Sequence, residues 1–227
     1  MKKIFLIVGL LILCGSVAAQ AMGDLYVSGT WRYKMTVVVE TPEGIKTGSA
    51  VREISNSTSS VKIIDFPQAG NPARVKGEAV VVDLGERGRL FALIGDQSDE
   101  EFYQAFPVPG SAPATIEGIK YYNSLKIGSK ATLDPTLYPG YPTLVTFTDT
   151  KDLKSIEKLM QWEWIDGKYP IRYRLKEDNF EKFFGEGVKL KEITLEIVNS
   201  PLTSVVGKYL GQRRVIGPYA FVKGESQ

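Results

Sequence analysis

From residue 30 the chain alternates with a period of two. In T-W-R-Y-K-M-T-V-V-V-E, Trp31, Tyr33, Met35, Val37 and Val39 share one parity, while Arg32, Lys34 and Thr36 take the other. That pattern predicts a strand with one apolar face and one solvated face. Thr41-Pro42-Glu43-Gly44 follows, with proline where a turn needs a fixed φ and glycine where it can take a positive one. Residues 48–55 then predict the return strand of a hairpin. After a polar turn at residues 56–60, further strands are predicted over 61–66, 74–84 and 89–94, separated by the 67–72 loop and by Glu86-Arg87-Gly88. Short strands at this density point to an antiparallel sheet or half of a sandwich.

Helical signals are fewer and shorter. Ser98-Asp99-Glu100-Glu101 has the form of a capping box; Phe102, Ala105 and Phe106 follow at helical spacing, and Pro107 stops the run. Leu153, Ile156 and Met160 predict a helix over residues 152–160. Asp178-Asn179-Phe180-Glu181, with Phe183, Phe184 and Gly185, predicts another, and Ser200-Pro201 opens one that runs to Leu210. Residues 107–142 lack periodicity and are rich in Pro, Gly and Tyr, so a long loop is expected there. Residues 143–147 and 188–198 predict strands. Asp166-Gly167 predicts a hairpin joining residues 162–165 to 168–175, with Pro170 confining the second arm to an edge. The expectation is an α+β fold, mostly antiparallel β-sheet or sandwich with a few short helices packed on it, forming a single mature domain over residues 22–227.

The first 21 residues are expected to be a signal peptide. Lys2 and Lys3 precede an apolar run over residues 4–13, and small residues at 16–21 end in Ala19-Gln20-Ala21. The run is about ten residues long, whereas a membrane-spanning helix needs about twenty. Cleavage after Ala21 is preferred, with Ala19 next, and the protein is expected in the periplasm or cell envelope of a bacterium. Two alternatives would give it a membrane partner: retention of the segment as an anchor, or lipidation at Cys14. Leu13 stands before Cys14 where lipoprotein signals carry a small residue.

Removing Lys2 and Lys3 from the 28 basic residues leaves 26, against 26 acidic ones, so the mature chain is formally neutral and no nucleic-acid partner is expected. Cys14, the only cysteine, departs with the signal, which leaves no disulfide. The chain has 0 histidines. That excludes Ser-His or Cys-His triads, haem held by histidine and the usual zinc sites, and no cofactor or metal is expected.

Three stretches offer candidate chemistry. Trp162-Glu163-Trp164 on a strand puts both rings on one face and Glu163 on the other; the plainer reading is a hairpin pinned to the core by two rings, the sharper one a sugar platform beside a carboxylate. Ser59-Ser60-Val61-Lys62 fits the S-x-x-K pattern of penicillin-recognising enzymes, but it leads into strand-type residues and its partner motifs are missing. Tyr121, Tyr122, Tyr138 and Tyr141 are candidates for a recognition surface on the long loop.

Three segments, Trp31 to Gly44 (W-R-Y-K-M-T-V-V-V-E-T-P-E-G), Leu144 to Asp149 (L-V-T-F-T-D) and Phe184 to Ile197 (F-G-E-G-V-K-L-K-E-I-T-L-E-I), resemble a group of uncharacterised exported or membrane-attached bacterial proteins. The resemblance implies bacterial export and carries no activity or ligand; residues 161–175 read as an addition to its pattern. The expected function is a non-catalytic binding or structural module whose partner is an envelope protein or a small ligand. The alternatives are a periplasmic hydrolase using carboxylate or Ser/Lys chemistry and a membrane-tethered, lipoprotein-like module.

Expressed with its leader in a bacterial host, the protein is expected in the periplasmic fraction with a mass beginning at Met22. Cys14→Ser should change neither mass nor partitioning. A membrane-bound product whose mass falls on that substitution identifies the lipoprotein instead.

Overall fold

The computed structural model describes residues 26–59, 73–95, 98–137, 141–149, 152–166, 172–211, 215–216 and 219–223. They divide into two compact units. The smaller comprises residues up to Thr30, Ser55–Ala73 and Val108–Ser124; the larger comprises Trp31–Ile54, Arg74–Pro107 and everything from Leu125 on.

The predicted hairpin forms and is longer than expected: β1 (Tyr26–Thr41) and β2 (Gly44–Ser59) flank the Pro42-Glu43 turn. Residues 56–59 continue β2 where a polar turn was expected. The predicted strand at residues 61–66 lies outside the described residues. On β1, Trp31, Tyr33, Met35, Val37 and Val39 are all buried, as the alternation requires. β11 (Lys189–Val198) pairs antiparallel with β1, setting Tyr33 opposite Ile197, Met35 opposite Leu195 and Val37 opposite Ile193. Lys34 and Glu196 meet at 2.9 Å on the solvated face.

Residues 74–84 do not form one strand. They break into β3 (Arg74–Glu78) and β4 (Val80–Asp83), which belong to different sheets. The larger sheet has the order β14-β3-β2-β1-β11-β6, with β6 at Lys130–Thr132 and β14 at Val222–Lys223. The second runs β4-β5-β7-β8, with β5 at Arg89–Ala92, β7 at Leu144–Phe147 and β8 at Ile156–Lys158. Two glycines make this layering possible. A Cβ on Gly48 of β2 would lie 2.0 Å from the Val81 carbonyl oxygen of β4, so the backbones of the two sheets touch there only because the side chain is missing. Gly77 takes φ +137 just before the break, and a Cβ there would press on Arg52.

On the second sheet, Phe91 packs edge-on against Phe147 and against Phe221 of the C-terminal segment, each at 5.5 Å, with Val145, Val206 and Leu210 in the same buried cluster. Helix α1 (Ser98–Ala105) lays Phe102 on Tyr33 and Trp31, ring centroids 5.2 and 6.3 Å apart, as the aromatic spacing predicted. Arg87 ties its own segment to two others: its guanidinium grips the Glu43 carboxylate with two hydrogen bonds and donates to the Phe184 carbonyl at 2.6 Å. That pairing holds the Glu43 carboxyl well below the usual range, at about 2.

Helix α3 (Phe180–Phe184) closes with Gly185, as expected, but Asp178 rather than a capping box receives the Phe180 N–H. Two other predictions are corrected. The helix expected over residues 152–160 shrinks to one 3-10 turn at Leu153–Ser155, capped by Asp152 through the Lys154 N–H, and Ile156 then pairs with Phe147 as part of β8. The helix from Ser200 shrinks to α4 (Gly207–Leu210), because the backbone donors ahead of it are taken by tertiary acceptors. The Glu78 carboxylate accepts from the Val205 and Val206 N–H groups at 2.5 and 3.0 Å, and the Thr203 N–H donates to the Val51 carbonyl at 3.4 Å.

The smaller unit contains helix α2 (Ile116–Ser124) where a loop was expected. Thr115 Oγ1 accepts the Gly118 N–H at 3.0 Å, Ile119 and Tyr122 are buried, and the Asn123 side chain donates to the Ser28 carbonyl at 3.1 Å. No helix among the described residues is long and apolar enough to cross a membrane.

At the centre of the larger unit Arg52 is fully buried on the same face of β2 as Ala50 and Ile54. Its Nε donates to the Glu78 carbonyl at 3.1 Å, and Nη2 to the carbonyls of Ala92 and Leu93 at 3.0 and 3.1 Å. Arg52→Ala strands three carbonyls and a buried carboxylate, Glu101. We expect it to cost about 3–5 kcal/mol in urea unfolding, with Arg52→Lys intermediate because one ammonium cannot reach all three acceptors. A loss below about 1 kcal/mol would show that the carbonyls find other donors.

Candidate functional site

Two places in the larger unit gather ionisable groups. The first is the surrounding of Arg52. Arg52 Nη1 faces Glu101 Oε2 at 3.6 Å, an ion pair too long to be a hydrogen bond, and both side chains are almost entirely out of water. Burial pushes the Glu101 carboxyl up to about 7, because desolvation outweighs the attraction of the Arg52 charge, while Asp99 adds a smaller push in the same direction. Tyr33 is also buried here, donates to the Ser98 carbonyl at 3.4 Å, and has its hydroxyl pKa raised by burial. The expected capping box therefore does not form; Glu101 turns into the core, and Ser98 heads the helix through its own N–H to the Gly95 carbonyl at 3.4 Å.

The second is a cavity of about 620 Å³ beside the hairpin of β9 (Met160–Asp166) and β10 (Arg172–Asp178). This hairpin was predicted from Asp166-Gly167; residues 167–171, including Pro170, lie outside the described residues. Its arms pair Trp164 with Tyr173, Glu163 with Arg174 and Trp162 with Leu175, and the register slips between Arg172 and Tyr173 and again between Leu175 and Glu177. The slip beside Arg172 leaves Ile165 of β9 as the extra residue, and Arg172, Tyr173 and Arg174 all line the cavity. Met160, Trp162, Tyr141 and Leu190 give it an apolar and aromatic wall, with the Tyr141 and Trp162 rings 6.2 Å apart and tilted by 45°. Burial raises the Tyr141 hydroxyl pKa, and Asp134 and Glu192 add to the shift, which keeps that group a neutral donor.

The sequence candidates separate accordingly. Tyr141 and Trp162 meet at the cavity. Trp164 does not pin the hairpin to the core as expected; it is 62% exposed, because neither face of a two-stranded arm is covered at its position. Glu163 does not line the cavity and is tied to Arg174 in an ion pair. Tyr121 and Tyr122 sit on helix α2 rather than on a loop, their rings 5.4 Å apart, and Tyr122 is buried, so it offers no surface. Tyr138 lies outside the described residues, as do Ser60 and Lys62; Ser59 ends strand β2 instead of opening a helix. Among the described residues no cluster of three carboxylates could hold a metal ion.

The residues that sequence reasoning missed are Arg172 and Arg174 at the cavity and Arg52 and Glu101 in the core. The R-Y-R triplet signalled the first pair. Arg52 stood at an apolar parity of β2, between Ala50 and Ile54.

The Glu101 carboxyl is more readily protonated folded than unfolded, where its value is 4.5. Its contribution is therefore fully present below about 4.5 and is lost as pH rises through about 7. Between pH 5 and pH 8 we expect urea unfolding to register a fall of roughly 2–3 kcal/mol that Glu101→Gln abolishes. Equal pH slopes in the two proteins would show that Arg52 keeps Glu101 ionised.

No protein-family model, no curated protein and no solved structure matches the chain.

Proposed function

We propose that this chain is an exported, non-catalytic binding module of the bacterial envelope that holds a small amphipathic ligand beside the β9–β10 hairpin. The observation that carries the reading is the cavity itself. Its volume of about 620 Å³ falls in the range of small-molecule sites. Its lining combines aromatic and aliphatic side chains with a few polar and charged groups, the mixture that suits a ligand with one wet end and one dry end.

The hydrolase reading lacks support at the same place. Asp178 is the one carboxylate among the described lining residues, and its Oδ1 already accepts the Phe180 N–H at 3.0 Å to cap helix α3. Glu163, the acid singled out from sequence, is ion-paired with Arg174 and is not among the residues that line the cavity. An acid-base pair across a substrate is therefore not assembled from the described residues. Export rests on the charged, apolar and small-residue order of residues 1–21.

A screen of amphipathic fragments against the 15N-labelled protein tests the reading. Binders are expected to shift the Trp162 indole N–H resonance, and Trp162→Ala should weaken them about tenfold or more, as the loss of a large buried ring contact implies. Fragments that leave Trp162 untouched, or turnover of an ester or glycoside that Glu163→Gln abolishes, would overturn it.

A further inference from the structure

We propose that the cavity's ligand is a ring bearing a carboxylate, and that Arg172 and Arg174 receive the acid while Trp162 and Tyr141 hold the ring. The inference rests on the cavity being a ligand site and adds the chemical class.

Three cations line the cavity against one carboxylate. Lys191 is partly engaged, 3.5 Å from Glu40, which it shares with Lys189 at 2.9 Å. Arg174 is oriented by the Glu163 carboxylate, which binds its Nε. A guanidinium carries five N–H donors, so the side held by Glu163 leaves others to turn inward. Arg172 contacts no carboxylate among the described side chains, although its register partner on β9 is Asp166. Its backbone is fixed, through the bridge to Leu137 and the Tyr173 N–H donated to the Thr136 carbonyl at 3.1 Å. Two guanidiniums two residues apart on one fixed strand match the two oxygens of a carboxylate, which accepts charge-assisted hydrogen bonds from each.

The aromatic part of the lining selects what carries the acid. The Tyr141 and Trp162 rings are tilted by 45° and form a wedge rather than a tube. A flat ring fills such a wedge by stacking on one face and meeting the other edge-on, and the neutral Tyr141 hydroxyl adds a donor. Both an aromatic acid and a sugar acid have this shape, and they share the ring and the carboxylate.

The test uses the full chain and measures binding by calorimetry together with the Trp162 resonance, with 2-naphthoate, its neutral amide 2-naphthamide, and galacturonate as probes. A ring acid should bind at least tenfold more tightly than the amide. Arg172→Gln and Arg174→Gln should each bring the acid down to the level of the amide, with the melting temperature as the check that the fold is kept. Tighter binding of naphthoate identifies an aromatic acid, and tighter binding of galacturonate a sugar acid. Equal binding of acid and amide at Trp162, or Arg variants without effect on the acid, overturns the inference and leaves a neutral-ligand site. If no probe shifts Trp162, the inference and the cavity reading fall together.

Discussion

A buried arginine organises the larger unit. A guanidinium cannot lose its charge at accessible pH, so Arg52 can occupy an apolar position only if the fold brings acceptors to it. It does so with backbone: the carbonyls of Glu78, Ala92 and Leu93 come from the ends of β3 and β5, strands of two different sheets. The break between β3 and β4 follows from the same need. If residues 74–83 ran straight in one sheet, the Glu78 carbonyl would serve its own ladder; with the chain turning at Gly77 and Ala79, it is free to meet Arg52, and the Ala79 N–H goes instead to the Phe221 carbonyl at 2.7 Å. Glu78 then anchors the other side of the break, its carboxylate holding the amides of Val205 and Val206. One charged side chain thereby ties two sheets to helix α1, and the neighbouring acid ties them to the segment before α4.

What was legible in the sequence is what local patterning controls. The alternation over residues 31–39 gave the buried face of β1, and a second alternation at Ile193, Leu195 and Ile197 gave that of β11, although not that the two strands pair. The α+β class, the first hairpin, the β9–β10 hairpin and the helices at Phe102 and Phe180 were all visible on the same basis. The failures have a common cause, polar groups whose partners are distant in sequence. Glu101 has the position of a capping residue and is drawn inward by Arg52, 49 places earlier in the chain. Residues 200–206 have a helix-start signature, and their amides are claimed by Glu78 and Val51. Helix α2 was legible in part, since Ile116, Ile119 and Tyr122 are spaced by three, but the prolines and glycines around it read as loop.

The cavity was half legible. Aromatic residues at Tyr141 and Trp162 stood out, but nothing in a sequence says which of two tryptophans on one face meets a neighbour. Trp162 lies near the base of the arm, where the chain is fastened by the Asn179 N–H to Leu159 and by Leu159 to the Leu144 carbonyl, at 2.8 and 2.9 Å. Trp164 lies further out, where the arm leaves those supports, and stays exposed. The arginines were hidden by period two, which puts Arg172 and Arg174 on one face and Tyr173 on the other, while all three line the same cavity.

The arm itself is the least self-sufficient part of the larger unit. A two-stranded sheet with exposed Trp164, Ile165 and Leu175 buries too little surface to be stable alone, so its order must come from contacts at its base and along Thr136 and Leu137. A ligand seated between Trp162, Tyr141 and the β10 arginines would add contacts to both strands at once. Binding and ordering of the arm are then linked, each favouring the other by the same free energy. On the proposed reading the hairpin would be a wall that its ligand helps to build, and affinity for that ligand would be reduced by whatever it costs to order the arm.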